Sequence, residues 1–343
     1  MTTPRAVILS CAGPALTADE GAFFREADPL GFILFARHID TPEQTRRLVD
    51  ELRSCVARAD APVLVDQEGG RVVRLKPPYW RRPPPARVFG ELYERNAERG
   101  LEAVALNSRL LAADLASIGA DVDCMPVLDL ALPETHGVIG DRAYGPRPEA
   151  VAALGRAAAE ALLAGGVMPV IKHMPGHGRA TADSHLGLPR VTASRDLLER
   201  MDFAPFRMLS DLPWGMTAHL LFEAVDAEAP VTVSARAVKD VIRGHIGFDG
   251  MLLSDDLSMQ ALGGSLGERA ERALAAGCDI ALHCNGRMDE MQDIVGRTGA
   301  MTDAAVRRFE KGRQALRRLR APFDKSGLGD AVARFRALLP EWG

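Results

Sequence analysis

Residues 167–171 read VMPVI, and they lead directly into KHMPGHGRATADSH at residues 172–185. The first segment is an apolar run typical of a buried strand. The second combines three histidines, a lysine and an aspartate with Pro175, Gly176 and Gly178, whose backbone properties favour a loop. Loops that follow a rigid scaffold element often carry binding or catalytic groups. This stretch therefore predicts a buried strand whose end carries chemistry.

Similar apolar runs recur along the chain and alternate with segments of helical periodicity, such as residues 41–58 and 149–164. Near-continuous apolar strands between amphipathic helices are typical of a parallel sheet with helices outside. Eight such units favour an α/β fold, a single-domain (β/α)8 TIM barrel over residues 1–343, with C-terminal helices at about residues 300–343 packed outside. The eight runs are residues 6–9, 31–35, 62–65, 120–125, 167–171, 215–218, 251–253 and 279–282.

An open, doubly wound sheet is the competing fold class. It usually has fewer strands, and its dinucleotide-binding members carry a Gly-x-Gly-x-x-Gly turn after an early strand. No such turn follows any of the early runs in this chain. The barrel is therefore the preferred prediction.

Polar or ionisable residues follow six of the eight runs. In a parallel barrel the carboxyl ends of all strands share one face, where the active sites of such enzymes lie. A single one of these residues has an ordinary explanation as a helix cap or loop residue, but six together favour an enzyme. They are Asp66 to Arg71 as DQEGGR, Asp129, Lys172 with His173, His219, Asp255 with Asp256, and His283 with Asn285.

The composition is that of a globular protein, with 47% hydrophobic and 26% charged residues over 343 positions. The net charge of −4 gives no reason to expect a nucleic-acid or membrane partner. No apolar segment reaches the length of a membrane span, and residues 6–10 are too short for a signal peptide. We expect a cytoplasmic protein, since five scattered cysteines without Cys-x-x-Cys spacing suit a reducing compartment.

The motifs together resemble the bacterial β-N-acetylglucosaminidases of glycoside hydrolase family 3. The resemblance extends over nearly the whole chain, with the motifs in the same order. Met174 stands where the family usually has an aromatic residue, which leaves the polar positions intact. The motifs are KHMPGHG at residues 172–178, DSH at 183–185, SDDLSM at 254–259, DQEGGRVVR at 66–74 and GDRAYG at 140–145.

The resemblance implies a role for each polar position. Asp255 matches the catalytic nucleophile, His185 the general acid/base, and Asp183 the partner of that histidine. The family's activity implies an exo-β-N-acetylglucosaminidase, and we expect it to act as a monomer without a cofactor. Its substrate would be a muropeptide with a 1,6-anhydro-N-acetylmuramoyl end, cleaved during peptidoglycan recycling. The residues that match the N-acetylglucosamine-binding positions are Asp66, Arg74, Arg142, Lys172 and His173.

The chemistry is consistent with these residue types. Glycoside cleavage needs one group at the anomeric carbon and another that protonates the leaving oxygen, a task that histidine can perform near neutral pH. Asp183 stands two residues before His185, so both side chains can face the same way on an extended segment. Asp255 and Asp256 are adjacent, so on a strand they point to opposite sides. This favours a covalent intermediate on Asp255 and retention over attack by the substrate's own acetamide.

Three alternatives remain open. The cluster of His173, His177, Asp183 and His185 offers ligands for a divalent metal, although residues 8–10 lack the His-x-His that usually opens metal-hydrolase barrels. A histidine acid/base repels phosphate less than a carboxylate does, so a phosphorylase is the second alternative. The third is a sugar-binding protein without activity, which the complete set of matching positions disfavours.

Overall fold

The computed structural model describes residues 3–182, 184, 187–319 and 326–342. Within these ranges eight parallel strands close into a barrel, in which each strand pairs with its neighbours in the chain and the last pairs with the first. The predicted TIM barrel is therefore confirmed. The strands are β1 (Arg5–Leu9), β2 (Pro29–Leu34), β3 (Val63–Val65), β4 (Val122–Asp123), β5 (Met168–Met174), β6 (Trp214–Thr217), β7 (Met251–Asp256) and β8 (Ile280–Leu282).

Two strands end later than their apolar runs predict. β5 continues through Lys172 and His173 to Met174, so the first part of the predicted loop is strand. β7 continues through Asp255 and Asp256. Conversely, β4 has only two residues, shorter than the predicted segment 120–125. β5 and β7 extend past their apolar runs because hydrogen bonding between strands continues where the side chains become polar. Polar side chains at the barrel mouth are thereby held on rigid backbone.

The helices surround the barrel and begin at recognisable signals. Residues 42–55, for example, form a helix that starts with Pro42, and the side chain of Thr41 accepts a hydrogen bond from the Gln44 N–H. The α-helices are α1 (Ala18–Ala27), α2 (Pro42–Cys55), α3 (Ala86–Arg95), α4 (Ala97–Ser117), α5 (Pro148–Ala164), α6 (Arg195–Arg200), α7 (Ala204–Met208), α8 (Leu266–Ala276), α9 (Met288–Arg297), α10 (Asp303–Leu319) and α11 (Ser326–Leu338). A π-helix (Ala237–His245) lies between β6 and β7, and a short parallel ladder pairs Arg190–Val191 with Leu221–Phe222. None of the described helices combines the length and apolar character that crossing a bilayer requires.

The buried residues of the strands divide by alternation between two layers. In β1, Val7 and Leu9 join the large cluster beneath the surrounding helices, whereas Ala6 and Ile8 join a second cluster. This second cluster fills the barrel interior, because several of its members, including Ile33, also line the cavity at the barrel mouth. Alternation on a barrel strand produces this division, since successive side chains point to opposite faces.

Helix α10 packs against the interior cluster at the opposite end of the barrel from the cavity. Its residues Ala305 and Leu316 are buried there, and the Phe309 ring lies 5.9 Å from the Trp214 ring, centroid to centroid. Gly312 permits the close approach, because a Cβ atom at this position would lie 2.6 Å from Trp214 Nε1. The apolar face of α10 is thus packed against the barrel.

This contact gives a stability prediction. Gly312→Ala should lower the free energy of unfolding by about 1–2 kcal/mol, because overpacking costs about 1–3 kcal/mol and outweighs the gain in helix propensity. Gly329→Ala at an exposed position of α11, where no atom beyond the local helix backbone lies within 4 Å of the added Cβ, should instead raise it by up to about 1 kcal/mol. Urea unfolding of both variants measures the difference, and equal effects would contradict this packing.

Candidate active site

One cavity of about 280 Å³ opens at the carboxyl ends of the barrel strands. Its acidic, basic and histidine side chains come from four segments, which are the loop after β3, a 3₁₀ turn at Gly140–Arg142, the end of β5 and the end of β7. All six described residues that the sequence predicted for the site line this cavity. They are Asp66, Arg74, Arg142, Lys172, His173 and Asp255.

The two remaining predicted residues, Asp183 and His185, lie outside the described residues. Two of the four candidate metal ligands are therefore also outside them. Among the residues that the structure describes, no three His, Cys, Asp or Glu side chains cluster in a way that would hold a metal ion. Ser184 is described and buried, and its Oγ lies 3.4 Å from His177 Nε2.

Lys172 is the centre of an ion network in the cavity wall. Its Nζ lies 2.8 Å from Asp66 Oδ1 and 2.7 Å from Glu68 Oε1, while only 2% of the side chain is exposed. Burial alone would lower the pKa of Lys172, but the two carboxylates outweigh it and raise this pKa above its usual value. The ammonium group is thus fixed in its charged form.

The network extends to both arginines of the predicted site. Arg142 donates two hydrogen bonds of 2.8 Å to the Glu68 carboxylate, and Arg74 donates one of 3.1 Å to Asp66. Burial opposes ionisation of Glu68, but Arg142 and Lys172 prevail and hold its pKa below the ordinary value. Glu68 was not among the predicted site residues, although it lies within the DQEGGR motif. Its proximity in sequence to Asp66 was the available signal.

Asp123 lies beside this network and differs from Asp66 and Glu68 in its protonation state. It is buried, its Oδ1 accepts a hydrogen bond from the Gln67 N–H, and no described group pairs with its Oδ2. Burial raises the pKa of Asp123 to about 8, which the nearby Asp66 and Glu68 charges reinforce. At neutral pH this side chain therefore carries a proton, and it adds no third negative charge beside Lys172.

His173 is oriented by Asp129, one of the polar residues that follow the strands, for which no specific role was predicted. The His173 Nδ1–H donates to Asp129 Oδ2 at 2.7 Å, and the backbone N–H groups of His173 and His177 donate to Asp129 Oδ1 at 3.2 and 2.7 Å. Burial raises the pKa of Asp129, but these donors more than offset it and leave the pKa lowered. Because Nδ1 is occupied, Nε2 is the ring atom available to a ligand in the cavity.

Asp255 projects from the end of β7 into the same cavity. Its Oδ1 accepts a hydrogen bond of 2.8 Å from the N–H of Asp256. Burial raises the pKa of Asp255, yet His173, this N–H group and the Lys172 ammonium group together lower it below the ordinary value. The carboxylate is therefore ionised at neutral pH, the state that its predicted role as nucleophile requires.

Asp256 is engaged locally rather than as a second free carboxylate. Its Oδ1 accepts from the Ser258 N–H at 3.0 Å, and its Oδ2 accepts from the Ser258 hydroxyl at 2.6 Å. These bonds form the turn after β7. The residue still borders the cavity.

The ion network gives a second stability prediction. Glu68→Gln should lower the free energy of unfolding by about 3 kcal/mol, because removing one partner leaves Lys172 and Arg142 buried with too few counter-charges. Glu94→Gln is the matched control: Glu94 also pairs with an arginine, Arg147, but both side chains are about half exposed. Its loss should cost less than about 1 kcal/mol. Denaturant unfolding compares the two, and similar losses would count against the network's importance.

Comparison with known proteins identifies the family. A sequence model described as "Glycosyl hydrolase family 3 N terminal domain" matches residues 25–311. A protein named "Beta-hexosaminidase" from Chromobacterium violaceum is 41% identical over 292 residues, which are 83% of this chain and 80% of that protein.

Solved structures agree. NagZ from Neisseria gonorrhoeae in complex with N-trifluoroacetyl-D-glucosamine superposes with a TM-score of 0.87 at 33% identity, covering 98% of both chains. The same protein in complex with zinc ion gives a TM-score of 0.84 at 31% identity, again over 98% of both chains. The chain therefore belongs to glycosyl hydrolase family 3, and the predicted resemblance to this family's β-N-acetylglucosaminidases is confirmed.

Proposed function

We propose that this chain is an exo-acting β-N-acetylglucosaminidase that removes terminal, non-reducing β-linked N-acetylglucosamine with retention of configuration. The observation that carries the proposal is the sharing of one cavity by an ionised Asp255 and the charged groups around Lys172. Relatives named as beta-hexosaminidases and the sugar analogue bound by gonococcal NagZ support the same substrate class. A cavity of about 280 Å³ is at the lower end for ligand pockets, which suits one sugar ring and exo action.

The binding groups suit sugar hydroxyls. Lys172, Arg74 and Arg142 supply fixed donors, and Asp66 supplies acceptor oxygens beside them. His173 adds its Nε2 atom, held towards the cavity by Asp129. Because the network fixes these groups before substrate arrives, little reorganisation is needed on binding.

In the first proposed step, the Asp255 carboxylate attacks the anomeric carbon while the bond to the leaving oxygen breaks. His185, paired with Asp183, donates its proton to that oxygen. In the second step the same imidazole takes a proton from water, which attacks the anomeric carbon and releases Asp255. The engagement of both Asp256 oxygens by Ser258 supports this route over a substrate-assisted one, which needs a second free carboxylate.

We further propose that the natural substrate is a muropeptide with a 1,6-anhydro-N-acetylmuramoyl end, cleaved in the cytoplasm during peptidoglycan recycling by a monomeric enzyme. The motif resemblance supports the substrate and its place in recycling, and the five scattered cysteines without Cys-x-x-Cys spacing support the compartment. Incubation with purified muropeptides and mass spectrometry of the products provides the test, with free N-acetylglucosamine as the expected species. Intact muropeptides in the presence of active enzyme would exclude this substrate.

Replacement of the nucleophile gives the sharpest test of mechanism. Asp255→Asn should lower kcat about 10⁴-fold or more, because an amide cannot form the glycosyl ester. Hydrolysis of an aryl β-N-acetylglucosaminide measures the rate, and thermal unfolding shows that the fold persists. Asp240→Asn on the π-helix is the control, since its side chain is exposed and should leave the rate unchanged. Near-normal turnover by Asp255→Asn would refute the assignment.

A panel of aryl β-glycosides separates the alternative functions. We expect cleavage only with the 2-acetamido group present, equal rates with and without EDTA, and free sugar as product in phosphate buffer. Sugar phosphate as the product would establish a phosphorylase instead. The zinc complex of gonococcal NagZ makes the EDTA arm worthwhile, and loss of activity there would favour metal-assisted chemistry.

A further inference from the structure

His219 is a buried imidazole near the site that neither the sequence motifs nor the proposed reaction uses. It stands two residues beyond the end of β6, has no exposed surface, and does not line the cavity. Its two ring nitrogens are both engaged. Nε2 lies 2.9 Å from the backbone carbonyl oxygen of Asp256, and Nδ1 lies 2.7 Å from Thr232 Oγ1.

The hydrogen-bond partners determine the tautomer. A carbonyl oxygen only accepts, so the proton resides on Nε2 and is donated to Asp256. Burial lowers the pKa of His219, which keeps the ring neutral and leaves Nδ1 as an acceptor for the Thr232 hydroxyl. Thr217 Oγ1 lies 2.8 Å from Thr232 Oγ1 and can donate its own proton to it. The Ala218 carbonyl oxygen, 3.2 Å from Thr232 Oγ1, is a second acceptor for the Thr232 hydroxyl. The ring is thus held by a chain of hydroxyls.

The contact between His219 and Asp256 is important because the backbone of Asp256 also forms a hydrogen bond with the Asp255 carboxylate. The Asp256 N–H donates to Asp255 Oδ1 at 2.8 Å, while the Asp256 carbonyl accepts from His219 and, at 3.2 Å, from the Met259 N–H. His219 therefore fixes the backbone of the residue whose N–H orients the proposed nucleophile. A chain of hydrogen bonds runs from the end of β6 to the Asp255 carboxylate at the end of β7.

We propose that His219 is a positioning residue for catalysis, which aims the Asp255 carboxylate by clamping the carbonyl of Asp256. The inference rests on the proposed function, since it assigns a task only if Asp255 is the nucleophile. Covalent attack needs the carboxylate oxygen aligned with the anomeric carbon, and a displacement of 1 Å can cost about 100-fold in rate. A clamp outside the cavity provides this alignment without occupying space that the sugar needs.

The electrostatic consequence has a definite sign. The Asp256 N–H bond stabilises the ionised form of Asp255, so its loss raises the pKa of Asp255. Asp255 attacks only when ionised, so a higher pKa moves the acidic limb of the kcat/KM profile to higher pH. The charged and titratable groups that act on Asp255, or feel its charge, are Lys172, His173, His177, His219 and Cys284.

Two substitutions of His219 separate the clamp from simple packing. The amide nitrogen of Gln occupies nearly the place of Nε2 and can still donate to Asp256, whereas the amide nitrogen of Asn falls at the place of Nδ1. We expect His219→Asn to lower kcat about 100-fold with KM changed less than about threefold, because the sugar-binding groups are untouched. His219→Gln should restore kcat to within about fivefold of the wild type, because a hydrogen bond to Asp256 is kept.

The assay uses an aryl glycoside with a poor leaving group, so that attack by Asp255 limits the rate. In His219→Asn the acidic limb should move upward by about one pH unit, and in His219→Gln by less. His245→Asn is the control, because this histidine lies at the end of the π-helix and does not border the cavity. Equal kcat losses in the Asn and Gln variants, or an unmoved acidic limb, would overturn the proposal in favour of a packing role.

A second variant covers the case in which His219→Asn does not fold. Thr232→Val removes only the hydroxyl that holds Nδ1, so the same changes should appear at smaller size, and an unchanged kcat and acidic limb would overturn the inference. The result is also separable from the proposed function. If Asp255→Asn is active, the assignment of Asp255 as nucleophile is wrong. If Asp255→Asn is inactive but His219→Asn is fully active, only the positioning role of His219 is wrong.

Discussion

The buried ammonium group of Lys172 is the constraint around which the cavity is arranged. An unpaired charge in such a position would be prohibitively costly, and the cost falls only when counter-charges and hydrogen bonds surround it. Asp66 and Glu68 provide these, and their own negative charge is in turn stabilised by Arg74 and Arg142. Each group of the network is therefore held in place by its neighbours, and the positions proposed to bind the sugar are rigid as a consequence.

The barrel makes this network possible because it holds distant segments at one mouth. The carboxylates come from the loop after β3, the lysine from β5 and Arg142 from the turn after β4, and adjacent barrel strands carry all three segments. The strand ends are polar while the strand centres are apolar, so the same backbone fills the interior and presents charges at the rim. Asp123 is protonated at neutral pH and therefore neutral. A negative charge on Asp123 would repel Asp66 and Glu68 and so oppose the stabilisation that Lys172 gives to these two carboxylates.

Much of this was predictable from sequence, for physical reasons that also mark the limit. The eight strands were found because a parallel strand covered on both faces must be apolar throughout. Their ends were placed too early in β5 and β7, because hydrophobicity stops where the polar face begins while backbone pairing continues. No specific role was predicted for Glu68 and Asp129, because their importance lies in contacts across the fold, such as the one between Asp129 and His173, 44 residues apart. The roles of individual residues, including Asp183 and His185, were predicted from family resemblance alone.

Two histidines near Asp255 show how a second partner decides what an imidazole does. His173 donates a hydrogen bond from Nδ1 to a carboxylate, which leaves Nε2 available towards the cavity. His219 instead accepts a hydrogen bond at Nδ1 from a hydroxyl and stays neutral. Its Nε2–H donates to a backbone carbonyl. The first arrangement suits contact with a substrate, and the second suits support of a neighbouring strand. Since both rings are buried, their different tasks follow from the acidity of the partner at Nδ1 rather than from solvent exposure.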